Sequence, residues 1–172
     1  AGFESFNVSL GGGTNSVTTG AATDTIIGGL GSSSMSGGAG NDTIYTVGGV
    51  DHVDGGAGVD TVDFTTSGVG VTVYLDGRAG VGGDAQGDTY LNIEQLIGSD
   101  YADRLVGAVG SQTLHGGLGD DVIEGGAGAD VIDGGDGFDG SARFHGLARA
   151  GRAGDGRFLS LLRLWDSAVA GE

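Results

Sequence analysis

GGAGNDTIY at residues 37–45 and GGAGVDTVD at 55–63 are two copies of one nine-residue pattern: glycine-rich for four positions, acidic at the sixth and apolar at the eighth. Cutting the chain every nine residues from Ala1 extends the pattern over seven blocks. Their eighth positions read Val8, Val17, Ile26, Met35, Ile44, Val53 and Val62. In a chain that is 38% hydrophobic, chance agreement is about 0.01 after allowing for nine phases, so the period belongs to the chain. The sixth positions read Phe6, Asn15, Asp24, Ser33, Asp42, Asp51 and Asp60, so residues 1–18 are degenerate and the later blocks acidic.

A second array starts at Gly98, with Asp103, Gln112, Asp121, Asp130 and Asp139 at position six and Leu105, Leu114, Ile123 and Ile132 at position eight. The step from Asp60 to Asp103 is not a multiple of nine. The chain therefore divides into a first repeat block (1–63), a spacer (64–97), a second block (98–142) and a tail (143–172). In the spacer, Val69, Val71, Val73 and Leu75 alternate as in a strand, Asp76-Gly77 marks a turn, and 91–97 leads back into repeats with Ile93 and Leu96 continuing a stacked core. The spacer reads as structural.

A three-residue strand with one inward apolar side chain has no stability alone, but stacked copies bury a continuous row. The chain must then turn at every repeat. Glycine supplies the positive φ and close backbone approach that such turns need, and lets main-chain carbonyls converge. Converging carbonyls closed by aspartates suit calcium, which takes six to eight oxygen ligands in flexible geometry.

GGAGNDTIY, GGAGVDTVD, GGLGDDVIE (116–124) and GGAGADVID (125–133) resemble the RTX, or repeats-in-toxin, haemolysin-type calcium-binding nonapeptide. The resemblance spans roughly 10–140, including GDAQGDTYLNIEQLIGS (83–99), which is similar to segments joining repeat blocks in RTX proteins. It implies an all-β fold, a parallel β-roll of two nonapeptides per coil, with Ca²⁺ held between loops 18 residues apart. It also implies carbonyl ligands from the second and fourth positions of the earlier loop and the first and third of the later one. On that pattern about four full sites are expected. The 24/42 site would use Gly20, Ala22, Asp24, Gly37, Ala39 and Asp42, and the 42/60 site Gly38, Gly40, Asp42, Gly55, Ala57 and Asp60. The 103/121 site would use Ser99, Tyr101, Asp103, Gly116, Leu118 and Asp121, and the 121/139 site Gly117, Gly119, Asp121, Gly134, Asp136 and Asp139. Ser33, Asp51 and Asp130 belong to the weaker edges, where Ser33/Asp51 and Gln112/Asp130 offer fewer carboxylates.

Composition points the same way. The formal charge is −16, from 23 acidic and 7 basic residues, with no Cys or Pro and 41 Gly. Such an excess opposes nucleic acid and anionic membranes and favours cations, and no apolar run is long enough for a transmembrane segment. No HExxH, GxSxG, Walker or dinucleotide motif occurs, and His52, His115 and His145 form no zinc set, so a catalytic function is not expected in this chain.

The opening residues carry no signal pattern, and the chain reads as a fragment or mature C-terminal piece. The resemblance implies a secreted, extracellular bacterial module that folds on Ca²⁺ and aids type I export. A surface or matrix module binding polysaccharide or cells, or the accessory domain of a secreted enzyme or toxin with its catalytic part upstream, are the alternatives. The tail gathers Arg143, Arg149, Arg152, Arg157 and Arg163 and ends in FLSLLRLW (158–165). It fits a cap on the roll, an uncleaved export signal or sequence foreign to the module.

Overall fold

The structure, a computed structural model, describes residues 5–141. The three readings of the tail lie outside the described residues. Within them the chain is a parallel β-solenoid with a single 3-10 turn at Gly83–Ala85 and no α-helix. One face is a seven-stranded sheet of β1 (Asn7–Ser9), β3 (Thr25–Ile27), β5 (Thr43–Tyr45), β7 (Thr61–Asp63), β10 (Gln95–Ile97), β12 (Thr113–Leu118) and β14 (Val131–Asp136), in that order. The opposite face is split into two four-stranded sheets. One holds β2 (Asn15–Thr18), β4 (Ser33–Ser36), β6 (His52–Asp54) and β9 (Thr89–Leu91); the other runs β8 (Thr72–Tyr74), β11 (Arg104–Val106), β13 (Val122–Glu124) and β15 (Gly140–Ser141).

Within each block the ladders pair residues two nonapeptides apart, Ile26 with Ile44 and Leu114 with Ile132. Each coil therefore holds two repeats, and period-two side-chain alternation sets what each repeat gives the core. In a strand such as Thr43-Ile44-Tyr45 only the middle residue points inward, so each nonapeptide gives the core one side chain. Ile26, Ile44, Val62, Leu96, Leu114 and Ile132 line one wall, facing Met35, Val53 and Tyr90 in the first half and Val73, Leu105 and Ile123 in the second.

The spacer is built into the roll. β10 lies between β7 and β12 and keeps the long sheet continuous, while β9 returns to β6 and β8 reaches forward to β11. The offsets are 34 residues from Thr61 to Gln95, 37 from His52 to Thr89 and 32 from Val71 to Asp103. Two spacer strands thus serve the split face and one the long sheet. Phe64, Val71, Leu75, Ala85 and Ile93 fill the wider junction, where Phe64 meets Tyr90 edge to face at 6.0 Å.

Leu96 is the only inward side chain of β10 and is fully buried between Val62 and Leu114. Leu96→Ala should lower the stability of the calcium-loaded chain by about 2–5 kcal/mol, the usual cost of a core cavity. Denaturant unfolding in calcium measures it.

The sequence leaves the repeat pattern at Gly140-Ser141, yet the ladder continues there, pairing Gly140 with Val122 and Ser141 with Ile123. A ladder needs main-chain N–H and C=O groups, which any residue but proline supplies.

Candidate metal centre

Each aspartate at position six stands just before a strand and turns its carboxylate toward the preceding coil. There Oδ1 accepts a main-chain N–H from the residue one coil earlier. Asp42 accepts from Asp24 at 2.7 Å, Asp60 from Asp42 at 2.8 Å, Asp121 from Asp103 at 2.8 Å and Asp139 from Asp121 at 3.2 Å. Asp51 accepts from Ser33 at 2.7 Å and Asp130 from Gln112 at 3.0 Å. One oxygen of each carboxylate is therefore spent on the scaffold.

The other oxygen is not. Oδ2 of Asp42, Asp51, Asp60, Asp121 and Asp130 is buried with no hydrogen-bond partner. Beside it, except at Asp51, where Thr46 stands at the first loop position, lies a space kept open by glycine at that position. A Cβ on Gly37 would come closer than 3.0 Å to both Asp42 Oδ2 and Gly55 O, and one on Gly116 to both Asp121 Oδ2 and Gly134 O. Two oxygens of different coils thus share a gap that any side chain would fill. A buried carboxylate oxygen without a donor is costly, and a hard divalent cation satisfies it where no N–H is available.

Burial holds the carboxyls of Asp42, Asp51, Asp60, Asp103 and Asp139 above the usual carboxylate range and lifts that of Asp121 to about 7. Neighbouring N–H groups oppose this and neighbouring carboxylates add to it. Among the described residues only one basic side chain relieves any of them, His52 at Asp51. Among the described residues the arginines are Arg78, paired with Asp76 and lying 3.9 Å over the Tyr74 ring, and Arg104, paired with Glu124. Nor do three His, Asp or Glu side chains converge on one point among the described residues. The oxygen set is one or two carboxylates with main-chain carbonyls, which suits calcium and not zinc.

The remaining expected ligands line the loop edges. Gly20 O and Gly38 O accept the N–H groups of Ala39 and Ala57 at 2.9 and 2.8 Å, while Ala57 O and Asp136 O accept from Gly40 and Gly119 at 2.9 and 3.0 Å. Leu118 pairs with Asp136 and Gly117 with Gly135 in the β12–β14 ladder. Each carbonyl keeps a second lone pair. A Cβ on Gly40 would run into Ala22 O, which places that carbonyl against the next loop.

At two of the four expected sites local hydrogen bonds hold part of the oxygen set, and an ion there competes with them. At 24/42, Thr19 stands at the first position and its hydroxyl donates to Gly37 O at 2.5 Å, while Asp24 Oδ2 accepts from Gly20 N–H at 3.3 Å. The Phe6 N–H leads in holding the Asp24 carboxyl below its usual range. At 103/121, the N–H and hydroxyl of Ser99 donate to Asp103 at 2.6 and 2.8 Å, and Tyr101 is exposed. On the weaker edges, Ser33 donates to Gly31 O at 3.2 Å, and Gln112 donates to Val109 O and accepts the Ala108 N–H, both at 3.3 Å, so neither offers a charged oxygen toward its later partner.

Asp88 and Glu94 were not among the residues expected from the sequence. Asp88 is fully buried, accepts the Asp51 N–H at 2.7 Å and the Tyr90 O–H at 3.0 Å, and burial raises its carboxyl to about 7. Glu94 Oε2 accepts the Asp60 N–H at 2.9 Å. Each acid precedes a buried apolar residue by two, as in the repeats: Asp88 before Tyr90 and Glu94 before Leu96. That signal was readable outside the nine-residue phase.

The acid-rich edges also exchange sides. Asp24, Asp42 and Asp60 lead into β3, β5 and β7 of the long sheet, whereas Asp103, Asp121 and Asp139 lead into β11, β13 and β15 of the split face. The extra strand of the spacer on that face produces the exchange.

Fold and loop chemistry together define a calcium-binding parallel β-roll. A family model described as the RTX calcium-binding nonapeptide repeat (4 copies) matches residues 8–35, 34–62 and 106–140, more than half of the chain. The chain belongs to that family, and its repeats are calcium-binding repeats of the RTX type. No curated protein matches the chain.

Proposed function

We propose that calcium binds between loops at 24/42, 42/60, 103/121 and 121/139 and folds this chain as a module of a secreted bacterial protein. The reading is carried by the second carboxylate oxygens of Asp42 and Asp121, buried without donors and facing Gly55 O and Gly134 O across gaps that glycine keeps open. Extracellular calcium modules have dissociation constants of about 10⁻⁴–10⁻³ M, so cytosolic calcium leaves such sites empty and external calcium fills them. An unfolded chain threads a type I export channel, and the ion then folds it outside. Among the described residues no helix is long and apolar enough to cross a membrane.

Sharing of carboxylates gives the test. Asp121 serves two of the proposed sites and Asp139 one. Asparagine keeps the Oδ1 acceptor for the preceding coil while removing the charge. Calorimetric titration should show Asp121→Asn binding two fewer ions and Asp139→Asn one fewer. Equal losses would overturn the shared-site arrangement.

A further inference from the structure

The repeat pattern stops at Asp63, but the geometry of a loop gap does not. Asp60 is fully buried; its Oδ1 accepts the Asp42 N–H, and its Oδ2 has no partner. That oxygen faces away from the 42/60 gap, toward the spacer. A Cβ on Gly55 would lie 2.7 Å from Asp60 Oδ2 and closer still to the carbonyl oxygen of Asn92. The same pair of groups, a carboxylate Oδ2 and the carbonyl that begins the next loop, flanks Gly37 and Gly116 in the complete repeats.

The spacer reproduces this with a different loop. Between β9 and β10 only residues 92–94 intervene, where six residues, 55–60, join β6 to β7. Asn92 takes the register of the first loop glycine: Gly55 N–H donates to Leu91 O at 3.0 Å, as Gly37 N–H does to Asp54 O at 2.9 Å. Asn92 is also the only non-glycine residue with positive φ among those described, at 52°. Asparagine tolerates that conformation better than most residues. Its side chain is held outside by donation to Asp54 Oδ1 at 2.7 Å, so the main chain faces the gap. Glu94 then does for Asp60 what Asp60 does for Asp42, accepting its N–H at 2.9 Å, and its extra methylene compensates for the shorter loop.

We propose that the junction with the spacer holds a divalent-cation site that no pair of nonapeptides supplies, formed by Asp60 Oδ2, the Asn92 carbonyl and the Glu94 carboxylate. The site rests on the calcium reading of the repeats and extends the metal row of the first block onto the strand that joins the two blocks. Asp60 becomes a shared ligand instead of the end of a row.

Calcium stoichiometry of the full chain, by equilibrium dialysis and calorimetry at millimolar calcium, tests it. Glu94→Gln keeps an acceptor for the Asp60 N–H and removes the charge; Gly55→Ala, at a glycine outside the left-handed region, fills the gap between Asp60 Oδ2 and the Asn92 carbonyl without removing a ligand. Each should bind one ion fewer than the parent while keeping its β circular dichroism in calcium. Asp133→Asn, a charge loss on an outward strand position, should keep the full number. A folded Glu94→Gln or Gly55→Ala variant that binds as many ions as the parent overturns the spacer site. A parent chain that binds no calcium overturns the calcium reading, and the spacer site with it.

Discussion

Calcium-free, the chain should lack the β circular dichroism that millimolar calcium restores. The apolar contribution is thin, since each strand gives the core one side chain, worth about 1.5–3 kcal/mol when fully buried. Against it stand the conformational entropy of 41 glycines and a net charge of −16. The charge is concentrated in ladders: Asp24, Asp42 and Asp60 follow one another a coil apart, as do Asp103, Asp121 and Asp139, all buried but the last. Several of these place an oxygen where neither water nor a donor reaches it. Four ions would bring about eight positive charges to these rows, coupling metal binding to folding. A β spectrum unchanged by chelator would sink this expectation.

How far the sequence reaches is clearest at its two failures of period. The apolar and acidic columns of each block are local, so the inward row and the acidic column were legible from spacing, while the coil of two repeats and the ladder from Asp42 to Asp60 came from the resemblance those columns carry. The spacer was legible only in pieces. The strand around Val73 and the buried positions of Ile93 and Leu96 follow from alternation, yet their partners do not. Pairings at 37, 34 and 32 residues depend on which face each strand joins, and no local pattern encodes that choice. Hence the exchange of acid-rich edges appears only with the fold, and so do the partners of Asp88 and Glu94, although their place two residues before Tyr90 and Leu96 is readable in the sequence. Thr19 and Ser99 illustrate a smaller limit: a hydroxyl beside an aspartate reads as a degenerate repeat, but in the folded loop it satisfies the oxygens that glycine leaves open.

Without calcium, acid should partly replace the ion. Burial raises the carboxyls of Asp42, Asp51, Asp60, Asp103 and Asp139, and lifts those of Asp88 and Asp121 to about 7, whereas in the unfolded chain an aspartate titrates at about 3.9. Over the intervening pH range the folded state binds more protons than the unfolded one, so stability falls as pH rises. The contribution of these groups is fully present below about pH 4 and is lost as pH climbs through the raised values, near 7 for Asp88 and Asp121. Asp24 and Asp76, whose carboxyls are held low, work in the opposite direction but stand against these seven and Asp84, which burial also raises. The calcium-free chain should therefore show more β signal at pH 5 than at pH 8. Calcium reverses the slope, because the ion takes the deprotonated carboxylates and must compete with protons for them. Its folding midpoint should move to lower calcium concentration as pH rises from 5 to 8. Asp88→Asn offers a sharper reading: the amide keeps an acceptor for the Asp51 N–H and can donate to the Tyr90 hydroxyl oxygen, so the junction stays satisfied at every pH. That variant should lose about one proton of the calcium-free pH dependence between pH 5 and 8. A calcium-free chain whose β content is flat or rises over this range would show that burial of these carboxylates does not govern its folding.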